Sequence, residues 1–481
     1  MNNDNNIGEA DGIMDGIEAV GSRRLSRRSF LKYGVGGGAL MLGGSALALR
    51  GFGSVSAGDN LYVGLAATDG WISLPVSGAA AGVLPQVPFF PDQLAPQTAD
   101  GGVDGLNVYS FGFRDVTSFQ GDYSKIIQLK NKVQHTAPPM HRGRTNGGAG
   151  GWQDFKVGDR ITMELWNLGL AMRPDLGDGH TIHWHGFPNQ VPYYDGVPET
   201  SISVPVGRSF KYEFIPNEAG TYMYHCHFED VEHVQMGMTG VLFVRPADYG
   251  PGNKTAYGAG TGSEFDREYT WMITEIDLEE HWLSSHVQQP DWSEYRPDVF
   301  LINGRTFPDT LLPSFDNSEA GDALTPNPGA AGVPERLTYQ PVGSLVQGNP
   351  GEKVLVRIAN LGFRSHTLEL PGLPMRVVGI DAKPTHAGRA SYADGAGGGS
   401  QNGAFDSGPR AGSSFVTNHL DVAVGSSYDV IIEIPNDATP GDVYPLGARG
   451  ITGSDGAGGG SMRTHVLVAP STLPTQSRPN F

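Results

Sequence analysis

Val157-Gly158-Asp159-Arg160-Ile161-Thr162-Met163-Glu164-Leu165-Trp166-Asn167-Leu168-Gly169 is echoed further along the chain by Pro350-Gly351-Glu352-Lys353-Val354-Leu355-Val356-Arg357-Ile358-Ala359-Asn360-Leu361-Gly362. Each stretch is a turn, then an alternation of apolar and polar residues, then Asn-Leu-Gly. Alternation with period two is the pattern of a half-buried strand. A second pair follows in the same order: Val206-Gly207-Arg208-Ser209-Phe210-Lys211-Tyr212-Glu213-Phe214-Ile215-Pro216-Asn217 and Val424-Gly425-Ser426-Ser427-Tyr428-Asp429-Val430-Ile431-Ile432-Glu433-Ile434-Pro435-Asn436. Two similar β-sandwich domains are therefore expected, over 100–248 and 265–470. Gly-rich stretches at 142–151, 391–413 and 451–461 read as long loops, and 58–99 reads as an extended N-terminal arm.

Composition agrees with an all-β chain. Of 481 residues, 69 are Gly and 34 are Pro, which argues against a helical bundle because both residues break helices. A hydrophobic content of 38 % excludes a disordered chain. The net charge of −18 argues against nucleic acid as a partner. Cys226 is the single cysteine, so an intrachain disulfide is impossible. At the N-terminus, Arg23, Arg24, Arg27 and Arg28 precede a weakly apolar run, Tyr33 to Leu49. Ser26-Arg27-Arg28-Ser29-Phe30-Leu31-Lys32 resembles a twin-arginine export signal, and Val55-Ser56-Ala57 is a small-x-small cleavage site. Residues 1–57 are thus expected to be an export signal, with an uncleaved membrane anchor as the alternative. Export would make the protein periplasmic, cell-surface or extracellular.

The histidines cluster. His180-Thr181-Ile182-His183-Trp184-His185-Gly186 is followed by His225-Cys226-His227, then His233 and Met238. On a strand, alternate side chains point to opposite faces. His183 and His185 share one face, as do His225 and His227, while Cys226 points the other way. His180 has the opposite parity to His183. Parity alone therefore predicts two sites, one facing inward and one outward. An inward set of two imidazoles, a thiolate and a thioether is that of a blue-copper electron-transfer centre, since soft sulfur and imidazole ligands suit copper and the axial Met bond is long and weak. Four-coordinate structural zinc would need a stronger fourth ligand than Met.

With these motifs quoted, residues 150–247 closely resemble the copper-binding cupredoxin (plastocyanin-like) domain of multicopper oxidases, the laccase-like enzymes, with weaker similarity through the second half. The resemblance implies two Greek-key cupredoxin sandwiches. It implies that His180, Cys226, His233 and Met238 bind type 1 copper, with Met236 competing as axial ligand. It implies that His183, His185, His225 and His227 serve type 2/type 3 copper. A small-molecule or metal-ion donor would be oxidised at type 1 copper, and electrons would pass through Cys226 to its flanking histidines, where dioxygen is reduced. Asp195, in Tyr193-Tyr194-Asp195-Gly196, stands where the family keeps an acid and is the candidate proton donor, although Asp-Gly is also a turn signal. The Cys-to-His gap is longer than in typical laccases, which leaves a loop, Phe228-Glu229-Asp230-Val231-Glu232. Its acids read as solvated groups, or else as a docking site for a reductant.

The second half departs from this pattern. His366 aligns with His180, but Glu369 and Pro371 stand in place of His183 and His185, and Tyr444 to Gly450 carries neither His nor Cys. His386, His419 and His465 read as isolated loop or surface residues. Three functions stay open. One is a two-domain oxidase, a homo-oligomer and by analogy a trimer. The second is a reductase like copper nitrite reductase, against which His227 speaks. The third is a non-catalytic copper electron carrier.

Overall fold

The computed structural model describes residues 60–75, 92–95, 105–132, 142–143, 153–187, 191–314, 335–337, 339–385, 414–449 and 461–476. The export signal and most of the three Gly-rich stretches lie outside them.

In the first half, one sheet has the order β2 (Gly105–Asp115), β1 (Asn60–Pro75), β3 (Arg160–Asn167), β5 (Ser209–Phe214). Facing it is a sheet of β4 (His183–His185), β6 (Gly220–His225) and β7 (Thr239–Val244). Leu65, Phe111, Met163, Tyr212, Tyr224 and Leu242 meet between the two sheets in one core. The second half repeats the plan. Its larger sheet runs β9 (Val299–Ile302), β8 (Arg267–Ile276), β10 (Lys353–Asn360), β14 (Ser427–Glu433), β12 (Met375–Ile380). Opposite lie β16 (Arg463–Val468), β15 (Val443–Arg449), β11 (His366–Glu369) and β13 (His419–Val422). Both halves are strand-built sandwiches, so the chain is all-β with a few short helices.

The repeated Asn-Leu-Gly has a physical role. Asn167 Nδ2 donates to the carbonyls of Asp178 and Val204, both at 2.8 Å, and Asn167 Oδ1 accepts from Gly169 N at 2.8 Å. Asn360 does the same with Arg364 O (2.8 Å), Val422 O (3.0 Å) and Gly362 N (3.0 Å). In each half this amide pins the loop that delivers the first histidine, and so supplies partners for backbone groups that would otherwise be buried unpaired.

Part of the arm expected at 58–99 is instead sheet, while 76–91 and 96–99 lie outside the described residues. Asn60–Pro75 is a strand in the interior of the first sheet, parallel to β3 and antiparallel to β2. It is buried on both faces, so it shows no alternation to betray it. The first sandwich therefore starts well before residue 100.

All described residues belong to one compact unit, Ser56–Phe481. A buried ionic network joins the two sandwiches: Arg245 and Arg357 both bind Glu268, and Arg357 also reaches Thr221 on β6 and Asp429 on β14. Burial works against a charge on Glu268, but Arg245 and Arg357 hold its carboxyl down at about 2.

Candidate metal centre

His180 sits just before β4 and exchanges backbone hydrogen bonds with Val204. His183 and His185 flank buried Trp184 on β4, and His183 lies opposite His225 across the ladder. Burial alternates along both segments: His183, His185, His225 and His227 are half-buried, whereas Trp184 and Cys226 are buried. The polypeptide thus passes between two faces at Cys226.

On the inner face, His180, Cys226 and His233 are all buried, and their ligand atoms lie within 4.8 Å of one another. Cys226 Sγ is 3.9 Å from His180 Nδ1 and 3.3 Å from His233 Nδ1. With metal–sulfur bonds of about 2.3 Å and metal–nitrogen bonds of about 2.0–2.1 Å, two such ligands on one ion lie about 3.5–3.8 Å apart. The observed spacings bracket that value, and one thiol with two imidazoles is a donor set that fits copper. Burial pushes His180 well below its ordinary value, so it presents a neutral imidazole. Burial also opposes charge on His233, but Cys226 and then Asp178 pull it up to about 10. Met238 is buried at the same place; its carbonyl accepts from Cys226 N at 3.0 Å and its N–H donates to His233 O at 2.9 Å. Met236 is buried too, at the end of helix α1 (Asp230–Met236).

That helix is a second difference from expectation. Only Phe228 and Glu229 remain of the expected loop, because Asp230 and Glu232 fall in the first turn of α1, where acidic side chains favour a helix. Glu232 is not a solvated group: its carboxyl is raised by burial, and Ser284 on helix α2 (Leu278–Ser285) donates to it at 3.5 Å. Arg173 also binds the Ser284 carbonyl, at 3.0 Å. A helix inserted between β8 and β9 of the second sandwich therefore roofs this corner. Its N-cap, Asp277 followed by Glu279 and Glu280, was the available signal in the sequence.

On the outer face, the rings of His183, His185, His225 and His227 form a patch with neighbouring centroids 5.0–6.1 Å apart. His183 Nδ1 contacts the Asp195 carbonyl at 2.8 Å, and His225 Nδ1 contacts the Cys226 carbonyl at 2.8 Å. A carbonyl only accepts, so both Nδ1 atoms carry the hydrogen and both Nε2 atoms keep a lone pair for a metal. Burial lowers His225 to about 4, which keeps it neutral. The Asp195 carboxylate stands 3.6 Å from His183 Nδ1. Gly196 makes this possible: it has φ +77°, and a Cβ there would strike the Ile182 carbonyl. From the second half, Gly425 packs against the His185 ring.

The second sandwich shows what stands at the matching positions. His366 lies opposite Val422 as His180 lies opposite Val204. Thr367, Leu368 and Glu369 pair with Arg449, Ala448 and Gly447, so Ala448 occupies the place of Cys226. His366 Nε2 is 3.2 Å from Glu275 Oε2, and Glu275 Oε1 accepts from Phe363 N and Arg364 N at 2.5 and 2.7 Å. Glu369, in the place of His183, binds His419 at 2.9 Å and Arg449 at 3.0 Å. His419 is thus on a strand and paired, His465 lies half-buried on β16, and His386 lies outside the described residues.

A multicopper oxidase family model matches residues 155–248, the stretch holding both faces of the site. That stretch is similar to a multicopper oxidase domain. Copper resistance protein A of Escherichia coli is 24 % identical over 406 residues, covering 79 % of this chain and 58 % of that protein. Multicopper oxidase MCE of Talaromyces pinophilus is 35 % identical over 99 residues, covering 20 % of this chain and 15 % of that protein. The chain therefore spans little more than half the length of the first of these relatives and a small part of the second. Among solved structures, the blue copper oxidase from Nitrosomonas europaea aligns over 85 % of both chains at 18 % identity, with a TM-score of 0.49. The family's cofactor, copper, agrees with the donor chemistry of the inner face.

Proposed function

We propose that this chain is an exported copper-dependent oxidoreductase of oxidase type. His180, Cys226 and His233 would hold type 1 copper with Met238 as axial ligand, and His183, His185, His225 and His227 would hold further copper. Bound copper supplies one-electron oxidation of a small-molecule or metal-ion donor and, at the outer face, reduction of dioxygen to water. The supporting observation is the position of Cys226, whose thiol joins the inner donor set while both of its sequence neighbours are outer-face imidazoles. One residue thus links the faces covalently, and the His225 Nδ1 hydrogen bond to the Cys226 carbonyl adds a second link. The Asp195 carbonyl accepts from His183 Nδ1 and its carboxylate lies 3.6 Å from that nitrogen, which supports a role in which it would pass protons to the outer face. Residues 1–57 would direct twin-arginine export.

The two sandwiches would act as two cupredoxin domains, the first beginning at β1 and the second spanning 265–470, packed into a homo-oligomer, a trimer by family analogy. The second domain would serve packing and assembly. The test is oxygen uptake with a phenolic or metal-ion donor, alongside copper per chain and the visible and paramagnetic spectra. Donor-dependent oxygen uptake supports the reading. Nitrite turnover without oxygen uptake would replace it with a reductase, and a blue protein inert to both would make it an electron carrier.

A further inference from the structure

The two imidazoles beside Cys226 are not equivalent. His233 is fully buried, its Nε2 has no hydrogen-bond partner, and Asp178 Oδ2, also buried and without a partner, lies 3.6 Å away. His180 Nε2 is likewise buried and without a partner, but no ion pair to it is found among the described residues. The His233 ring has little freedom to turn. Phe228 stacks along it with centroids 6.2 Å apart, while Phe111 and His180 meet it edge-on at 5.8 and 4.9 Å. Asp178 is equally constrained. Its carbonyl is held by Asn167 at 2.8 Å, and the next residue, Gly179, lies so close to Ser203 that a Cβ would collide with it.

We propose that Asp178 is a positioning residue for His233: it takes the Nε2–H of that ring, so that Nδ1 turns its lone pair toward Cys226. A carboxylate on the remote nitrogen of a ligating histidine fixes its tautomer and raises its basicity. Negative charge behind one ligand favours the more positive, oxidised ion. Asp178 therefore lowers the reduction potential of the inner centre, and it does so through His233 alone. This inference rests on the ligand assignment given above.

The test uses the full, copper-loaded protein. Asp178→Asn is isosteric and keeps an acceptor oxygen but loses the charge. It should retain the blue colour and raise the ratio of reduced to oxidised centre at a fixed applied potential at least tenfold, about 59 mV for one electron. Asp178→Ala should shift it further and weaken copper binding roughly 10–100-fold. Pulsed paramagnetic resonance should show altered coupling to the remote nitrogen of one imidazole and not of the other. Glu229→Gln removes an exposed charge from the same cluster and should change the ratio less than threefold. A blue parent whose potential and remote-nitrogen coupling are unchanged in Asp178→Asn overturns the inference alone. An equal shift in Glu229→Gln also overturns it, because charge rather than ring contact would then be the cause. A parent with no blue band overturns the ligand assignment and this inference together.

Discussion

His180 and His366 occupy the same place in two copies of one sandwich, yet they face different chemistry. Both lie opposite a valine, and both loops before them are pinned by an Asn-Leu-Gly amide. They part at their surroundings. Thirteen positions separate Asn167 from His180, and six separate Asn360 from His366. The longer loop is anchored by Asp69 on β1, which accepts from Met172 N at 2.7 Å. By register Glu275 on β8 matches Asp69, because Ala67 pairs with Asn167 and Ile273 with Asn360. Behind the shorter loop, this longer acid reaches the histidine itself. The lesson is that the matching position differs by what is missing beside the imidazole: Ala448 stands in place of the thiol, while Glu275 holds only Nε2 of His366 and leaves Nδ1 without a partner.

Several experiments would break or sharpen this contrast. The largest effect should come from Cys226→Ser, which is expected to abolish the intense visible absorption, since serine cannot form the copper–thiolate bond. An undiminished spectrum would mean that the first sandwich is not the blue one. Next, Glu275→Ala leaves the Phe363 and Arg364 N–H groups without their acceptor, at a cost of about 1–3 kcal/mol for each donor left buried. Thermal or urea unfolding should register the loss while the blue band stays unchanged, and a lost band would tie the second sandwich to copper after all.

The joint between the halves should respond to acid. The folded value of Glu268, about 2, lies below its ordinary 4.5. Its stabilisation is therefore fully present above about pH 4.5 and is lost as pH falls toward 2. Urea midpoints measured from pH 7 to pH 3 should fall accordingly, and Glu268→Gln should flatten that dependence. A smaller effect is expected from Met238→Leu, which should keep the colour and shift the reduction potential, because the axial bond is long and weak. If Met236→Leu shifts the potential and Met238→Leu does not, the axial ligand is the other methionine. The smallest effect is none: Ala448→Cys should add no second blue centre, by spectrum or copper count, because no histidine follows it before His465 to stand where His233 stands after Cys226.

The repeat and the His-Cys-His parity were legible because alternating strands write their faces into the residues. His183 and His185 flank Trp184, and His225 and His227 flank Cys226, so each strand separates its own faces. β1 was not legible, since a strand buried on both faces carries no alternation. Glu232 read as a surface acid because nothing near it in sequence announces helix α2. Asp178 and Glu275 were invisible for a different reason. An acid in a loop or on a strand is ordinary in sequence, and only the folded register shows which of them meets an imidazole.

The placement of β1 bears on how the chain could be trimmed. Asn60 begins a strand hydrogen-bonded on both sides, to β2 and to β3. A protease that cut a few residues too far would not shorten a tail but unzip the middle of a sheet, baring two unpaired edges at once. Such edges recruit other chains, so a ragged N-terminus would show itself as aggregation rather than as lost colour.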